Sequence, residues 1–203
     1  MSLVEDQKFL RDAFVKDVRV IDQERGYLSA PSFNLRINPV VLAAGARLIA
    51  NEFKDLDAEI VHAIPNSAHF IAAAVALELG DTVRLHNSRK GSQIPVTWKE
   101  IYRKEVRSFT QSSDGSDFMV GLTFAFVRKG DRVLLIDDVC ARGETGVRII
   151  EGLLEKGVKV VGFAVLFDKV FQGGLERIEK LGIKTYSCVR VKSIGSGDRV
   201  RLL

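Results

Sequence analysis

Apolar positions recur along this chain in two periods that divide it into alternating helices and strands. Loosely helical spacing predicts a short helix from Val4 to Val15. Asn38-Pro39 pairs a good N-cap with proline at the first helical position, and Val40, Leu42, Ala43, Leu48 and Ile49 supply the apolar face of a helix running to about Phe53. Ala58 to Ile64 reads as a strand, Pro65-Asn66-Ser67-Ala68 as a tight turn, and His69 to Leu79 as a helix closed by Gly80. A short strand from Val83 to His86 completes what reads as a right-handed βαβ unit. Val106 to Thr110 and Phe118 to Phe126, with Gly115 between them, predict a hairpin. Val133 to Asp137 is a buried strand followed by a helix from Thr145 to Lys156. A strand from Lys159 to Phe167, a helix from Leu175 to Leu181 closed by Gly182, and a strand from Ile183 to Val189 follow. The tail to Leu203 has room for one more short strand.

Two stretches break the pattern. Val18 to Arg36, with Gly26 and Pro31, reads as a loop or short strands lying over the rest. From Asn87 to about Glu105 the chain is polar and basic without periodicity. A long patternless loop inside a compact domain is usually functional or disordered.

Composition narrows the class. A chain of 203 residues is long enough for one domain with a substantial core, and 46% hydrophobic with 28% charged residues is ordinary for a soluble protein. The net charge of +4 suits a small polyanionic substrate and is too mild to point to nucleic acid. Cys140 and Cys188 form neither a disulfide framework nor a metal-binding spacing, which favours a reducing compartment. The opening MSLVEDQKFL lacks the basic and apolar regions of a secretory signal, and the apolar run Phe70 to Leu79 is too short to span a bilayer. A soluble, cytoplasmic α/β protein is expected.

The chemistry concentrates in Val133 to Gly146, VLLIDDVCARGETG. Acids at the carboxyl end of a parallel strand lie where open α/β sheets bind ligands, and free amides at the next helix start can hold a phosphate. A single acid at a strand end is common and structural; an adjacent pair before a glycine-containing turn is more specific. Other site types fit poorly. A cysteine phosphatase needs C-x5-R, whereas Cys140 and Arg148 are spaced C-x7-R. His62, His69 and His86 have no partner at ligand spacing, and His62 reads as a half-buried core residue. Neither a Gly-x-Gly-x-x-Gly run nor a Walker lysine loop occurs.

What remains is a site for a phosphorylated, hydroxyl-bearing ligand, and here a family resemblance enters. Val133 to Thr145 resembles the phosphoribosyl-pyrophosphate signature of type I phosphoribosyltransferases. Asn34 with Ile37-Asn38-Pro39, Val106-Arg107-Ser108-Phe109-Thr110, and Asp168-Lys169-Val170-Phe171-Gln172 through Lys180-Leu181-Gly182 are similar to bacterial xanthine phosphoribosyltransferases. The adenine enzymes are a more distant match, and the likeness covers about residues 8 to 195.

The resemblance implies a single α/β domain over 1–203: a parallel-sheet core flanked by helices, with an N-terminal hood at about 18–38 and a lid at about 87–112. It also implies a homodimer, and transfer of 5-phosphoribosyl from phosphoribosyl pyrophosphate to a 6-oxopurine in purine salvage. Xanthine is the first choice of base, then hypoxanthine or guanine. Asp137 and Asp138 would bind the ribose hydroxyls, and Ala141, Arg142, Gly143, Glu144 and Thr145 the 5′-phosphate. Arg89 and Lys90 would meet the pyrophosphate, accompanied by Mg2+ to which no direct side-chain ligand is assigned. The Pro65–Ala68 turn, with Ser67 and Ala68, corresponds to the pyrophosphate loop; Asn34 would face the base and Lys169 an exocyclic purine oxygen.

This chain departs from the family at Arg142, where Thr or Asn is usual, and at Glu144, where Gly or Gln is usual. Its pyrophosphate turn lacks the usual acid and glycine. Plainer readings stand beside each role: a solvated pair at Arg89-Lys90, a turn cap at Asn34, a surface lysine at Lys169. Trp98 would either pack the lid or touch substrate. The alternatives are an adenine phosphoribosyltransferase, or a non-catalytic sensor of phosphoribosyl pyrophosphate or nucleotide on the same fold. A DNA-binding form of the sensor is disfavoured, because no helix-turn-helix pattern or basic stripe precedes Asn34.

Overall fold

The computed structural model describes residues 1–65, 67–87, 89–90, 101–108, 118–195 and 199–203; for 89–90, 101–108 and 118–125 it describes the backbone alone. Helix α1 (Leu3–Asp17) starts at a capping box, in which the Ser2 hydroxyl accepts the Glu5 N–H while the Glu5 carboxylate accepts the Ser2 N–H. The weakly patterned stretch that follows folds as a hairpin of β1 (Arg19–Asp22) and β2 (Tyr27–Ser29), then a single helical turn, α2 (Pro31–Asn34). The Asn38 side chain accepts the Val40 N–H at 2.9 Å and opens α3 (Pro39–Phe53) with proline in its first turn. Then come β3 (Ile60–Ala63), α4 (His69–Leu79) and β4 (Arg84–Asn87), with β3 and β4 parallel as the βαβ reading expects.

Three strands, β5 (Arg89–Lys90), β6 (Ile101–Ser108) and β7 (Phe118–Ala125), form a separate antiparallel sheet in the order β5-β7-β6. The β6–β7 hairpin is the expected one, but β6 begins at Ile101, inside the stretch read as patternless to Glu105. It is held by main-chain pairing from Ile101↔Ala125 to Ser108↔Phe118, which leaves no mark on side-chain periodicity. Trp98, Gly115 and Asn66 lie outside the described residues.

The remainder is β8 (Arg132–Cys140), α5 (Glu144–Glu155), β9 (Lys159–Lys169), α6 (Gly174–Glu179), β10 (Thr185–Ile194) and β11 (Val200–Leu202). The main sheet has the order β11-β10-β9-β8-β3-β4, all parallel except β11. Alternation along the apolar run of β8 explains the layers. Leu134 and Ile136 join a core with Leu10, Phe14, Ile49 and Val75 of α1, α3 and α4. Val133 and Leu135 join another with Ile149, Leu153 and Ile178 of α5 and α6. A strand buried on both faces needs apolar residues at every position, which is why VLLI is continuous. Among the described residues no helix is long and apolar enough to cross a membrane.

His62 sits on β3, whose four residues are all buried, so it is fully rather than half covered. Burial, with a smaller effect of His86, pushes its pKa to about 3, and the ring is neutral.

A part-buried fork fastens α1 to α3. Arg47 donates from Nε to Asp6 Oδ2 at 2.7 Å and from Nη2 to Oδ1 at 2.6 Å. Those hydrogen bonds hold the Asp6 carboxyl below its ordinary value of 3.8 despite burial. A depressed acid stabilises the fold above its unfolded value, and that contribution disappears as pH falls through the folded one. Denaturant titrations between about pH 5 and about pH 3 should therefore show a smaller loss of stability for Asp6→Asn than for the native chain. Parallel pH slopes would remove the pair from the acid limb.

Candidate functional site

The parallel strands β3, β8 and β9 end on one edge of the main sheet, and the chemistry gathers there. Strand β8 continues past the expected end at Asp137 to Cys140, because β9 extends to Lys169 and pairs with it as far as Cys140↔Asp168. Asp137 and Asp138 thus lie within a paired strand, where the backbone is fixed. Asp137 Oδ1 accepts the Asp138 N–H at 2.9 Å. Asp138 is only 5% exposed and accepts from Asn34 Nδ2 at 2.9 Å. Asn34 is the last residue of α2, and its Oδ1 is buried with no hydrogen-bond partner.

Beyond Cys140 the chain turns through 141–143 into α5. Gly143 takes the left-handed conformation (φ 73°) as N-cap, and the helix begins at Glu144, one residue before the expected Thr145. Its first amides, of Glu144, Thr145 and Gly146, have no intrahelical acceptor and face the start of the helix, as an anion site needs. Glu144 occupies the first turn, where a carboxylate is favourable. Arg142 is exposed, and its carbonyl accepts from Arg177 Nη1 at 3.2 Å. Ala141 and Thr145 are half-buried beside it.

Just before Pro65 the chain is held against β8, since the Ile64 N–H donates to the Ile136 carbonyl at 2.9 Å. Ser67 is half-buried and Ala68 fully buried at the start of α4. Arg89 and Lys90 leave the same edge after β4, and their backbone pairs with Thr123 and Leu122 of β7.

Lys169, at the end of β9, is 8% exposed rather than a surface residue. Its Nζ donates to the Gly26 carbonyl at 2.9 Å and lies 5.7 Å from the centre of the Tyr27 ring. Burial lowers its pKa to about 8. Gln172 adds a second clasp, donating to the Arg25 carbonyl at 3.1 Å. The neighbouring Asp168 is pushed up to about 6 by burial, offset in part by Arg190 at 3.7 Å.

The sequence carries little local signal for the part played by residues 25–27 or Gln172. The β1–β2 hairpin meets β9 across more than a hundred residues of chain, and no local pattern encodes such a contact. Gly26 as a turn glycine was the only available signal.

The described arrangement offers acceptors for hydroxyls, amides for a phosphate and an ammonium for an acceptor oxygen. Among the described residues no three acidic, histidine or cysteine side chains assemble into a metal cluster. A Mg2+ carried mainly by ligand phosphates and water needs only one or two carboxylates, and Asp137 and Asp138 are hard oxygen donors at hand.

The Phosphoribosyl transferase domain model matches residues 33–197. The chain is 30% identical over 161 residues to a xanthine phosphoribosyltransferase of Listeria monocytogenes serotype 4b (strain F2365), covering 79% of this chain and 81% of that one. It is 26% identical over 191 residues to a xanthine phosphoribosyltransferase of Bacillus thuringiensis (strain Al Hakam), covering 94% and 93%. In fold it is similar to the adenine phosphoribosyltransferase of Trypanosoma brucei solved with AMP, pyrophosphate and ribose-5-phosphate. That TM-score is 0.73 at 19% identity, covering 94% of this chain and 83% of that one. The matched span runs from Phe33, beside Asn34, through the paired acids, the phosphate-type turn and Lys169, and the chain belongs to the phosphoribosyltransferase family of enzymes.

Proposed function

We propose that this enzyme transfers 5-phosphoribosyl from phosphoribosyl pyrophosphate to a 6-oxopurine, xanthine ahead of hypoxanthine and guanine, releasing pyrophosphate. The observation that carries the choice of base is the buried Lys169 ammonium. It has donors and no acceptor, so it suits the 6-oxygen of an oxopurine and opposes the 6-amino group of adenine. Xanthine comes first on the strength of the relatives' names.

In this reading Asp137 and Asp138 accept from the ribose 2′- and 3′-hydroxyls, and the amides and hydroxyl at Thr145 hold the 5′-phosphate. The bond from C1′ to pyrophosphate oxygen breaks as the bond to the purine nitrogen forms, and the nitrogen's proton leaves to solvent. Arg89, Lys90 and the turn at Ser67 and Ala68 receive the departing pyrophosphate. A Mg2+ bound with the ligand phosphates would supply neutralisation of the leaving-group charge. Asn34 meets the base with its unpartnered Oδ1, under a hood of residues 18–38. A homodimer belongs to the same reading, with exposed Phe70 and Leu77 on one face of α4 as apolar surface for it.

The test supplies magnesium, phosphoribosyl pyrophosphate and each common nucleobase in turn, and assays nucleotide and pyrophosphate. Product with adenine alone overturns the choice of base. Ligand binding without any product favours a sensor. Lys169 adds a pH signature. A ligand oxygen that accepts from the ammonium raises its pKa, so affinity for a 6-oxopurine nucleotide should be full below about pH 8 and decline above it. Lys169→Met should weaken binding and abolish that decline; a decline that persists assigns the pH effect elsewhere.

A further inference from the structure

The segment from Lys169 to Arg177 touches both ends of the site. Its first part carries Lys169 and Gln172, which clasp the carbonyls of Gly26 and Arg25. Its second part abuts the turn 141–143. A methyl group placed on Gly174 would lie 2.4 Å from the Ala141 carbonyl oxygen, 2.5 Å from Cys140 Sγ and 2.7 Å from the Gly143 nitrogen. Reciprocally, a methyl on Gly143 would lie 2.5 Å from the Gly174 carbonyl oxygen. Most of these atoms are backbone and cannot swing aside. Gly173 takes φ +69°, whereas Gly174 is not among the positive-φ glycines, so its glycine answers close approach rather than dihedral freedom. Three residues on, Arg177 donates to the Arg142 carbonyl.

We infer that Gly174 and Arg177 are positioning residues: from outside the ligand site they fix the backbone of 141–143, and with it the amides that receive the 5′-phosphate. This rests on the phosphoribosyl reading of that turn. Gly143 alone leaves the turn free to relax, since its left-handed conformation sets one residue and not the direction of the amides that follow. The glycine-on-glycine contact supplies a wall, and the Arg177 hydrogen bond fixes the Arg142 carbonyl. The amides are thereby aimed before ligand arrives, which lowers the cost of ordering them on binding.

The experiment titrates ribose 5-phosphate, which lacks a base, into the full chain by calorimetry, and measures KM separately for base and phosphoribosyl pyrophosphate. Gly174→Ala must move the turn by about 1 Å, and a misplacement of that size is expected to weaken ribose 5-phosphate binding about a hundred-fold. Arg177→Gln removes one hydrogen bond and should weaken it about five-fold, with Arg177→Lys restoring most of the loss. KM for phosphoribosyl pyrophosphate should rise while KM for the base changes little. A general loss of order would instead move both. If Gly174→Ala fails to fold, the two Arg177 variants decide the matter. Native affinity in Arg177→Gln, or an equal rise in both KM values, overturns the inference. If the native chain itself binds no ribose 5-phosphate, the phosphoribosyl reading falls and takes the inference with it.

Discussion

Replacing Asp137 and Asp138 together by asparagine is expected to lower kcat/KM for phosphoribosyl pyrophosphate by about a thousand-fold, each charge-assisted hydrogen bond being worth about 2 kcal/mol. The fold should survive. Asparagine keeps the shape of aspartate and one acceptor oxygen, so residue 137 can still accept the N–H of residue 138, and residue 138 can still accept from Asn34. Stability is expected to be unchanged or slightly higher. Asp138 is buried, and the hydrogen bond described for its side chain comes from a neutral amide, so removing its charge removes a desolvation cost. Steady-state kinetics with varied phosphoribosyl pyrophosphate, beside a thermal melt, check both halves. Unchanged kcat/KM would remove the two acids from the ribose site. A collapse in melting temperature would make them structural.

The order of elements was legible because its signals are local. VLLI announces a strand buried on two faces, and Asn38-Pro39 announces a helix start; both stand where expected. Strand ends were less legible. The length of β8 depends on β9, and β9 on β10, so Asp137 and Asp138 fall inside a ladder rather than beyond one. The hood was the least readable part. Its hairpin has no apolar period of its own and is clasped from Lys169 and Gln172, far along the chain. Taken without the family resemblance, Lys169 reads as an ordinary surface lysine. The hairpin meets it with the Gly26 carbonyl and the Tyr27 ring. The link from Asn34 to Asp138, across 104 residues, is likewise invisible to any window on the sequence.

The hood is held on the body of the enzyme by aromatic packing, so Phe33→Ala is expected to be strongly destabilising. Phe33 belongs to α2, is 1% exposed, and meets Phe14 of α1 edge-on at 5.2 Å and Phe167 of β9 at 6.2 Å. Phe14 and Phe167 are themselves 5.0 Å apart, so three rings from three elements close on one another. Truncation to alanine leaves a cavity that the sheet side cannot fill, at a cost of about 3–5 kcal/mol. For a chain of this length that corresponds to a fall in melting temperature of roughly 10 °C. Phe33→Leu should recover much of it, because most of the volume returns. The neighbouring Asn34→Ala provides the contrast. Asn34 is half-buried, and its loss leaves one oxygen of the buried Asp138 without this donor but opens no core cavity, so the melt should fall less than for Phe33→Ala while base recognition suffers. If Phe33→Ala melts like the native chain, the aromatic cluster does not anchor the hood. If it melts early and the surviving folded fraction also loses affinity for nucleotide, the same three rings that stabilise α2 hold Asn34 at the site, and stability and recognition share one support.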